Sequence, residues 1–158
     1  MIKIPFKIDQ DADKDKKQKD MSEKSIKDLK ILLVEDNELN MEIAEFVLQN
    51  EDVSVTKAWN GQEAVEIFKK SRPDEFDVIL MDIMMPVMNG YEAAKIIRTL
   101  DRDDAKTVPI IAMTANAFTE DRLKSKESGM NEHIAKPVDA KLLVKVISEL
   151  VKNKEEDS

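Results

Sequence analysis

Four short apolar runs in the sequence are each followed at once by polar residues that could do chemistry. Glu35 and Asp36 follow the run ILLV, and Asp82 follows DVILM. Thr114 follows IIAM, and Lys136 follows HIA. If these runs are parallel strands of one open sheet, their carboxyl ends share an edge, which is where such sheets bind ligands. The sequence therefore predicts a cluster of three acids, one hydroxyl and one amine.

The residue types of this cluster indicate phosphoryl chemistry with a divalent cation. Carboxylates about 4 Å apart repel by roughly 4 kcal/mol per pair at an effective dielectric constant of 20. Mg²⁺ relieves that repulsion and prefers oxygen ligands. A lysine ammonium and a threonine hydroxyl can both donate to a phosphate-like anion. A carboxylate nucleophile beside a metal and a lysine is equipped to form an aspartyl-phosphate.

Each of these residues, taken alone, also has an ordinary structural interpretation. Asp36 is then more often a helix cap, and Asp82, which precedes a Met-Met-Pro sequence, is more often a turn residue. Glu35 would be a solvated acid, Thr114 a helix-approach residue and Lys136 a surface amine. Their joint position after four apolar runs favours the functional interpretation of the whole set.

The elements that must position the cluster alternate between strands and helices. Apolar runs predict strands at 31–34, 53–57, 76–81, 108–113 and 133–135. Apolar residues at helical spacing predict the helices between them, the first on Leu39, Ile43, Phe46 and Val47. Runs such as ILLV are apolar on both faces, as buried parallel strands are. The alternation predicts a doubly wound α/β fold with right-handed crossovers.

Composition divides the 158 residues into a charged tail and one domain. Residues 9–28 carry both charges and almost no apolar side chains, so we expect 1–28 to be a mobile tail or linker. The periodic pattern covers 29–152, and the polar residues 153–158 predict a frayed end. Because no output domain follows residue 152, we expect the domain to act through its surface.

The composition also excludes several classes of function. A net charge of −8 is unfavourable for binding nucleic acid, which needs clustered Lys and Arg. The absence of cysteine excludes disulfides, thiolate zinc sites and thiol catalysis. No apolar run reaches the ~18 residues of a membrane span, and no secretory signal opens the sequence. We therefore expect a cytoplasmic protein without membrane contact.

The strings ILLVEDN, DVILMDIMMPVMNGYEA, VPIIAMTA and HIAKPVD together resemble the receiver domain of two-component response regulators. The resemblance covers about residues 29–152. The strings AMTANAF and GMNEHIAKPVD also resemble receivers of the type fused to hybrid sensor histidine kinases. The resemblance implies a (βα)5 flavodoxin-like sandwich with strand order 2-1-3-4-5. It also implies that Asp82 accepts a phosphoryl group from a phosphohistidine, and that Thr114 and Lys136 contact the phosphoryl oxygens.

The same resemblance implies a magnesium site and a switch. The implied Mg²⁺ ligands are Asp36 and Asp82 directly, Glu35 through water, and the backbone carbonyl of Met84. In such domains a shift of the hydroxyl, here Thr114, is coupled to an aromatic residue three positions before the lysine. That position is His133, a departure from the usual Tyr or Phe. The peptide bond between Lys136 and Pro137 is expected to be cis.

Partner surfaces are implied as well. A histidine kinase phosphotransfer domain, or a histidine phosphotransfer protein, is expected to dock on the first helix and the loop after the lysine. The candidate contacts are Leu39, Asn40, Ile43, Pro137 and Val138. The face formed by the fourth helix and the last strand and helix is expected to switch, or to form a phosphorylation-dependent homodimer.

The N-terminal residues suggest a larger context. The string IKIPFKI alternates apolar and polar residues and is similar to the last strand of a histidine kinase ATP-binding domain, which often precedes a fused receiver. A random amphipathic start explains this string nearly as well. We expect a receiver that is not an enzyme on its own and that belongs to a hybrid kinase or separated from one.

Three other functions fit the sequence less well than a receiver does. A magnesium phosphohydrolase of the haloacid dehalogenase type needs a second acid where Met84 stands. A pseudo-receiver, a binding module without phosphorylation, usually lacks an acid, the threonine or the lysine, and none is missing here. A flavin-binding module would need a Ser/Thr/Gly-rich loop after the first strand, whereas EDNELN is acidic.

Overall fold

A parallel sheet of five strands with helices on both faces forms the core of the chain. The computed structural model describes residues 26–115, 119–136 and 138–157, with all their side chains except those of 119–122 and 153–157. The strands are β1 Lys30–Val34, β2 Ser54–Ala58, β3 Val78–Asp82, β4 Ile110–Thr114 and β5 Glu132–Ala135. Their spatial order is β2-β1-β3-β4-β5. The predicted doubly wound α/β fold and strand order are confirmed.

The strand register aligns the carboxyl ends of the central strands at one edge of the sheet. Val34 at the end of β1 lies opposite Met81 of β3, and Thr114 at the end of β4 lies opposite Ala135 of β5. Asp82 ends β3 one residue beyond Met81. The polar residues that end or directly follow these strands are therefore delivered to the same edge.

Asparagine side chains begin three of the helices that flank the sheet. The side chains of Asn37, Asn60 and Asn89 each accept a hydrogen bond from the backbone N–H three residues later. The cap of the first helix is thus Asn37, which removes the capping interpretation of Asp36. The helices are α1 Glu38–Gln49, α2 Gly61–Lys70, α3 Gly90–Thr99, α4 Asp103–Thr107, α5 Thr119–Glu127 and α6 Ala140–Asp157.

The alternating sides of the central strands support two separate cores. Leu32 and Ile79 pack in the core that also contains residues of α2 and α3. Leu33 and Leu80, one position further along each strand, pack in the core that contains residues of α1 and α6. Strands buried on both faces cannot slip by one residue without exchanging their side chains between the two cores. The double core therefore fixes the register that aligns the strand ends.

The structure differs from the prediction at the N-terminal tail, before β4 and at the C-terminus. Ile26, assigned to the tail, is buried in the α1/α6 core, and the Asp28 backbone N–H donates to the Asp52 carbonyl at 3.0 Å. The short helix α4 was not predicted, because five residues cannot show a helical apolar repeat. The last helix continues to Asp157, through residues expected to be frayed. No helix in the described part of the chain has the length and apolar character of a membrane span.

A buried carboxylate, Asp104, and the half-buried guanidinium of Arg102 form an ion pair that ties the start of α4 to the end of α2. Arg102 donates to both carboxylate oxygens of Asp104, at 2.9 and 2.7 Å. The same guanidinium donates to the backbone carbonyls of Phe68 and Ser71 at 2.7 and 3.1 Å. Burial alone would raise the pKa of Asp104, but hydrogen bonds from Arg102 and from the backbone N–H of Asp74 hold it below its ordinary value.

We predict that Arg102→Ala destabilises the fold by about 3 kcal/mol, because it leaves a buried carboxylate without its partner. Urea denaturation at pH 7 would measure the loss. Since the pKa of Asp104 is lowered on folding, the stability from its ionised form is present above its ordinary pKa of 3.8. That stability is lost as the pH falls through the lower, folded-state pKa. The difference in unfolding free energy between the variant and the wild type should therefore become smaller at low pH.

Lys57→Ala is the matched control, because it breaks an exposed pair with Glu45 that spans 3.5 Å. Its cost should stay below about 1 kcal/mol. Equal effects of the two substitutions would contradict a structural role for the pair of Arg102 and Asp104.

Candidate functional site

Two acids with different surroundings directly follow β1. The backbone N–H of Glu35 donates to the carbonyl of Ala58 at 3.1 Å, which extends the pairing of β1 with β2 by one residue. The Glu35 side chain is buried, and its Oε1 accepts from the backbone N–H of Asn37 at 3.2 Å. Asp36 is exposed. One acid is therefore fixed in the interior, while the next is accessible from solvent.

Asp82 ends the central strand β3 and is only 2% exposed. The loop after it folds back against the strand end, since the Gly90 backbone N–H donates to the Ile83 carbonyl at 2.9 Å. A Cβ at Gly90 would collide with the carbonyl oxygen of Asp82. A glycine is therefore required at the start of α3 for this close approach.

The Lys136 ammonium contacts one acid from each of two other strands. Its Nζ lies 2.9 Å from Glu35 Oε2 and 3.0 Å from Asp82 Oδ1. Its backbone N–H donates at 2.8 Å to the carbonyl of Thr114, the buried last residue of β4. The structure thus brings together the five residues that the sequence predicts to cluster.

The acids of this cluster have the donor set of a divalent cation site. One carboxylate oxygen from each of Glu35, Asp36 and Asp82 lies within 4.8 Å of the other two. Carboxylate oxygens at this spacing, with water completing the shell, suit Mg²⁺. Because Asp36 is exposed, a hydrated cation could approach from the solvent side. These residues therefore fit the predicted metal.

The charges of the cluster are incompletely neutralised. Burial, helped by the neighbouring Glu35, raises the pKa of Asp82 to about 7, although Lys136 opposes the change. Burial would lower the pKa of Lys136, but its hydrogen bonds and charge interactions with Glu35 and Asp82 raise it overall. The lysine therefore stays charged at neutral pH, while one more positive charge would favour full ionisation of Asp82.

The remaining predicted residues lie around this cluster or outside the described residues. The Met84 side chain is 76% exposed. His133 lies on β5 opposite Ala112, two residues before Thr114, with its Nδ1 3.7 Å from Glu132 Oε1. Val138 is half-buried. Pro137, its peptide bond and the string IKIPFKI fall outside the described residues.

The predicted docking helix presents an apolar stripe to solvent. Leu39 is 64% exposed and Ile43 is also exposed, as their predicted role requires. Phe46, on the same stripe, is 66% exposed. Phe46 was predicted only as part of the helical pattern and not as a surface residue. The helix instead buries Met41, Ala44 and Leu48.

A sequence model of the response regulator receiver domain matches residues 31–148, which contain the whole cluster. The chain belongs to the response regulator receiver domain family. Among curated relatives, hybrid signal transduction histidine kinase M of Dictyostelium discoideum is 44% identical over 127 residues. That match covers 80% of this chain but 5% of the kinase. The receiver therefore corresponds to a small part of such a protein.

Solved receiver domains share both the fold and the sequence pattern. The receiver domain of sensor histidine kinase PA1611 from Pseudomonas aeruginosa, solved with a magnesium ion in its active site cleft, is 37% identical. The match has a TM-score of 0.71 and covers 79% of this chain and 98% of that one. The receiver domain match from the Saccharomyces cerevisiae Ypd1–Ssk1 co-crystal is 34% identical, with a TM-score of 0.70 and coverage of 80% and 90%.

We predict that Asp82→Asn stabilises the cation-free receiver at pH 8. Asp82 keeps its proton up to about pH 7 in the folded state but loses it near the ordinary value of 3.8 when unfolded. Wild-type stability should therefore fall as the pH rises from about 4 to 7. An amide does not ionise, so above pH 7 the variant should be more stable than the wild type by at least about 1 kcal/mol, the equivalent of one pKa unit. Thermal melts at pH 5 and pH 8 would measure the growing difference.

Asp101→Asn is the control for this experiment, since it removes an exposed aspartate on the loop between α3 and α4. Its melting temperature should follow the wild type at both pH values. Adding Mg²⁺ should reduce the advantage of Asp82→Asn by stabilising the wild type. An Asp82→Asn variant less stable than wild type at pH 8 would contradict the proposed electrostatics.

Proposed function

We propose that this receiver is the phosphoacceptor of a two-component phosphorelay and takes a phosphoryl group from a phosphohistidine onto Asp82. One observation carries the proposal: the Lys136 ammonium bridges Asp82 and Glu35 at 3.0 and 2.9 Å, with a third carboxylate oxygen from Asp36 beside them. A buried nucleophilic carboxylate beside a lysine and a cation site has the parts that phosphoryl transfer needs.

The proposed reaction exchanges one bond to phosphorus for another. A carboxylate oxygen of Asp82 forms the new P–O bond while the P–N bond to the donor imidazole breaks. The electron pair of that bond stays on the imidazole nitrogen, and a proton on the other ring nitrogen lets the donor leave as neutral imidazole. The product is an acyl phosphate on Asp82, with no net oxidation or reduction.

The residues around Asp82 would stabilise the charge that moves with the phosphoryl group. Lys136 already lies within hydrogen-bond distance of the nucleophile, so its ammonium can follow the phosphoryl oxygens as they arrive. The Thr114 hydroxyl, at the buried end of β4, is the proposed second donor. Glu35, Asp36 and Asp82 would hold Mg²⁺, with the backbone carbonyl of Met84 as a further ligand. The bound cation supplies charge neutralisation for the phosphoryl oxygens.

Phosphorylation is proposed to change a surface rather than to start a further reaction. Movement of Thr114 toward the phosphoryl group would be coupled to His133 on β5. The predicted switching face lies on α5, which is the helix between β4 and β5, and on β5 and α6. This face would then switch its partners or pair with a second copy. Leu39, Asn40 and Ile43 on α1, with Pro137 and Val138, would receive the donor, either a histidine kinase phosphotransfer domain or a histidine phosphotransfer protein.

Two other functions have less support. A phosphohydrolase would need an acid/base two residues after Asp82, and that position carries the apolar Met84. A pseudo-receiver would not need the lysine bridge between Glu35 and Asp82. The similarity to hybrid kinases supports the proposal that this receiver belongs to such a kinase or to a cytoplasmic relative of one. The receiver is proposed to have no catalytic turnover of its own.

We predict that acetyl phosphate with Mg²⁺ adds one phosphoryl group to the wild type and none to Asp82→Asn, because the amide is not a nucleophile. Intact-mass spectrometry would measure the addition. Phosphorylated Ypd1 is the protein donor to compare, since it is the partner in the co-crystal of a receiver 34% identical to this one. Labelling of Asp82→Asn to the wild-type level, or no labelling of the wild type by either donor, would overturn the proposal.

We predict that Met84→Asn loses its phosphoryl group about fivefold faster than the wild type. The asparagine amide can hold the attacking water through one hydrogen bond, which the methionine thioether cannot form equally well. One such bond is worth roughly 1 kcal/mol, which corresponds to about fivefold in rate. Phosphate release after donor removal would give the rates. Met84→Leu keeps an apolar side chain and should leave the lifetime unchanged, and an Asn variant slower than wild type would disprove the effect.

A further inference from the structure

Three methionines lie in the loop that joins β3 to α3, directly after Asp82. Met84 is 76% exposed, whereas Met85 is buried and Met88 is half-buried against the core that contains α2 and α3. The other methionines of the described ranges are all buried, namely Met41, Met81, Met113 and Met130. Among the described residues, Met84 is therefore the one methionine whose side chain is largely open to solvent.

Contacts at both ends hold this loop in place. The Gly90 backbone N–H donates to the Ile83 carbonyl at 2.9 Å, and the Gly61 backbone N–H donates to the Met88 carbonyl at 3.2 Å. Between these contacts the chain turns at Val87, whose φ is +69°. The exposed residues of the loop are therefore attached to the end of β3 on one side and to the start of α2 on the other.

The exposed thioether of Met84 lies close to Asp82. The two residues are two positions apart, so their Cα atoms are separated by at most about 7 Å. Asp82 is almost fully buried, so water can attack a phosphoryl group on it only from the exposed side of the strand end. Met84 is part of that exposed side, and its thioether sulfur is a weak hydrogen-bond acceptor for such a water.

We propose that Met84 is a site of reversible oxidation by peroxides, and that its sulfoxide shortens the lifetime of the phosphoryl group on Asp82. The inference rests on the proposed function. In the oxidation step a lone pair of the Met84 sulfur attacks one oxygen of hydrogen peroxide, so an S–O bond forms while the O–O bond breaks. The leaving hydroxide takes up the proton of the transferred oxygen and becomes water. The sulfur loses two electrons, and the peroxide gains them.

Oxidation makes the side chain polar without removing it. The sulfoxide oxygen accepts a hydrogen bond from the attacking water, as the amide of an asparagine at this position would. Loss of the phosphoryl group should therefore become about fivefold faster, the rate equivalent of one hydrogen bond. Methionine sulfoxide reductases restore the thioether, so the change is reversible.

The test treats the full chain with hydrogen peroxide and follows the site of oxidation and the phosphoryl lifetime. Peptide mass mapping should find the added oxygen on Met84 at least about tenfold faster than on the buried Met85 of the same loop. After labelling with acetyl phosphate and Mg²⁺, phosphate release from the oxidised wild type should be about fivefold faster. Treatment with methionine sulfoxide reductases for both sulfoxide epimers and dithiothreitol should restore the original rate. The melting temperature should not change, because no core side chain is altered.

Three variants separate Met84 from the other methionines. Met84→Leu removes the sulfur, so peroxide should leave its rate of phosphate release within about twofold of its own untreated sample. Met88→Leu removes the half-buried sulfur of the same loop and should keep the wild-type response to peroxide. Met84→Gln places an amide oxygen near the position of the sulfoxide oxygen and should release phosphate about fivefold faster without peroxide.

Several results would overturn the inference. Oxidation of Met85 as fast as Met84, or unchanged or slower phosphate release from the oxidised wild type, would do so. An equal response of Met84→Leu to peroxide would assign the effect to another residue. A rate that the reductases do not restore would show irreversible damage and would also exclude a reversible site. Failure of acetyl phosphate to label the untreated wild type would instead reject the proposed function, and the effect on the phosphoryl lifetime with it.

Discussion

The contact of the Lys136 ammonium with two buried acids is the interaction on which the site depends. Glu35 and Asp82 lie side by side in the interior, and two adjacent carboxylates there would be costly without a positive partner. The Nζ of Lys136 lies within hydrogen-bond distance of both carboxylates. Burial, and after it the neighbouring Glu35, raise the pKa of Asp82 by more than Lys136 lowers it. The cluster is therefore stable enough to fold and still favours binding of a further cation.

The topology of the sheet makes this contact possible. Glu35 follows β1 and Asp82 ends β3, and these strands are neighbours. Lys136 follows the edge strand β5, two strands from β3, a separation of roughly 10 Å at the usual strand spacing. Its backbone N–H anchors on Thr114 at the end of β4, and its long side chain crosses from there to the acids. A shorter cationic side chain at this position would not reach them.

Much of the fold and of the site could be predicted because both are set by where apolar runs stop. Runs such as ILLV are buried on both faces, so the residue after each run had to lie at the sheet edge. The α1 pattern was harder to interpret, because the helix buries the small Ala44 and leaves the larger Phe46 exposed. The conformation of Val87 could not be predicted, since positive φ is usually signalled by Gly or Asn. Local composition shows apolar character, but tertiary contacts decide which apolar residues are buried.

The lysine-bridged acid cluster is proposed to bind Mg²⁺ and a phosphoryl group together. Melting temperatures with Mg²⁺ alone and with Mg²⁺ plus beryllofluoride, which mimics a phosphoryl group, test it most directly. A ligand that binds only the folded state at a hundredfold excess over its Kd stabilises it by about 2.7 kcal/mol. If the cluster binds both ligands, the melting temperature should rise with Mg²⁺ and rise further with beryllofluoride, and Asp82→Asn should abolish the second rise. No change with either ligand would contradict it.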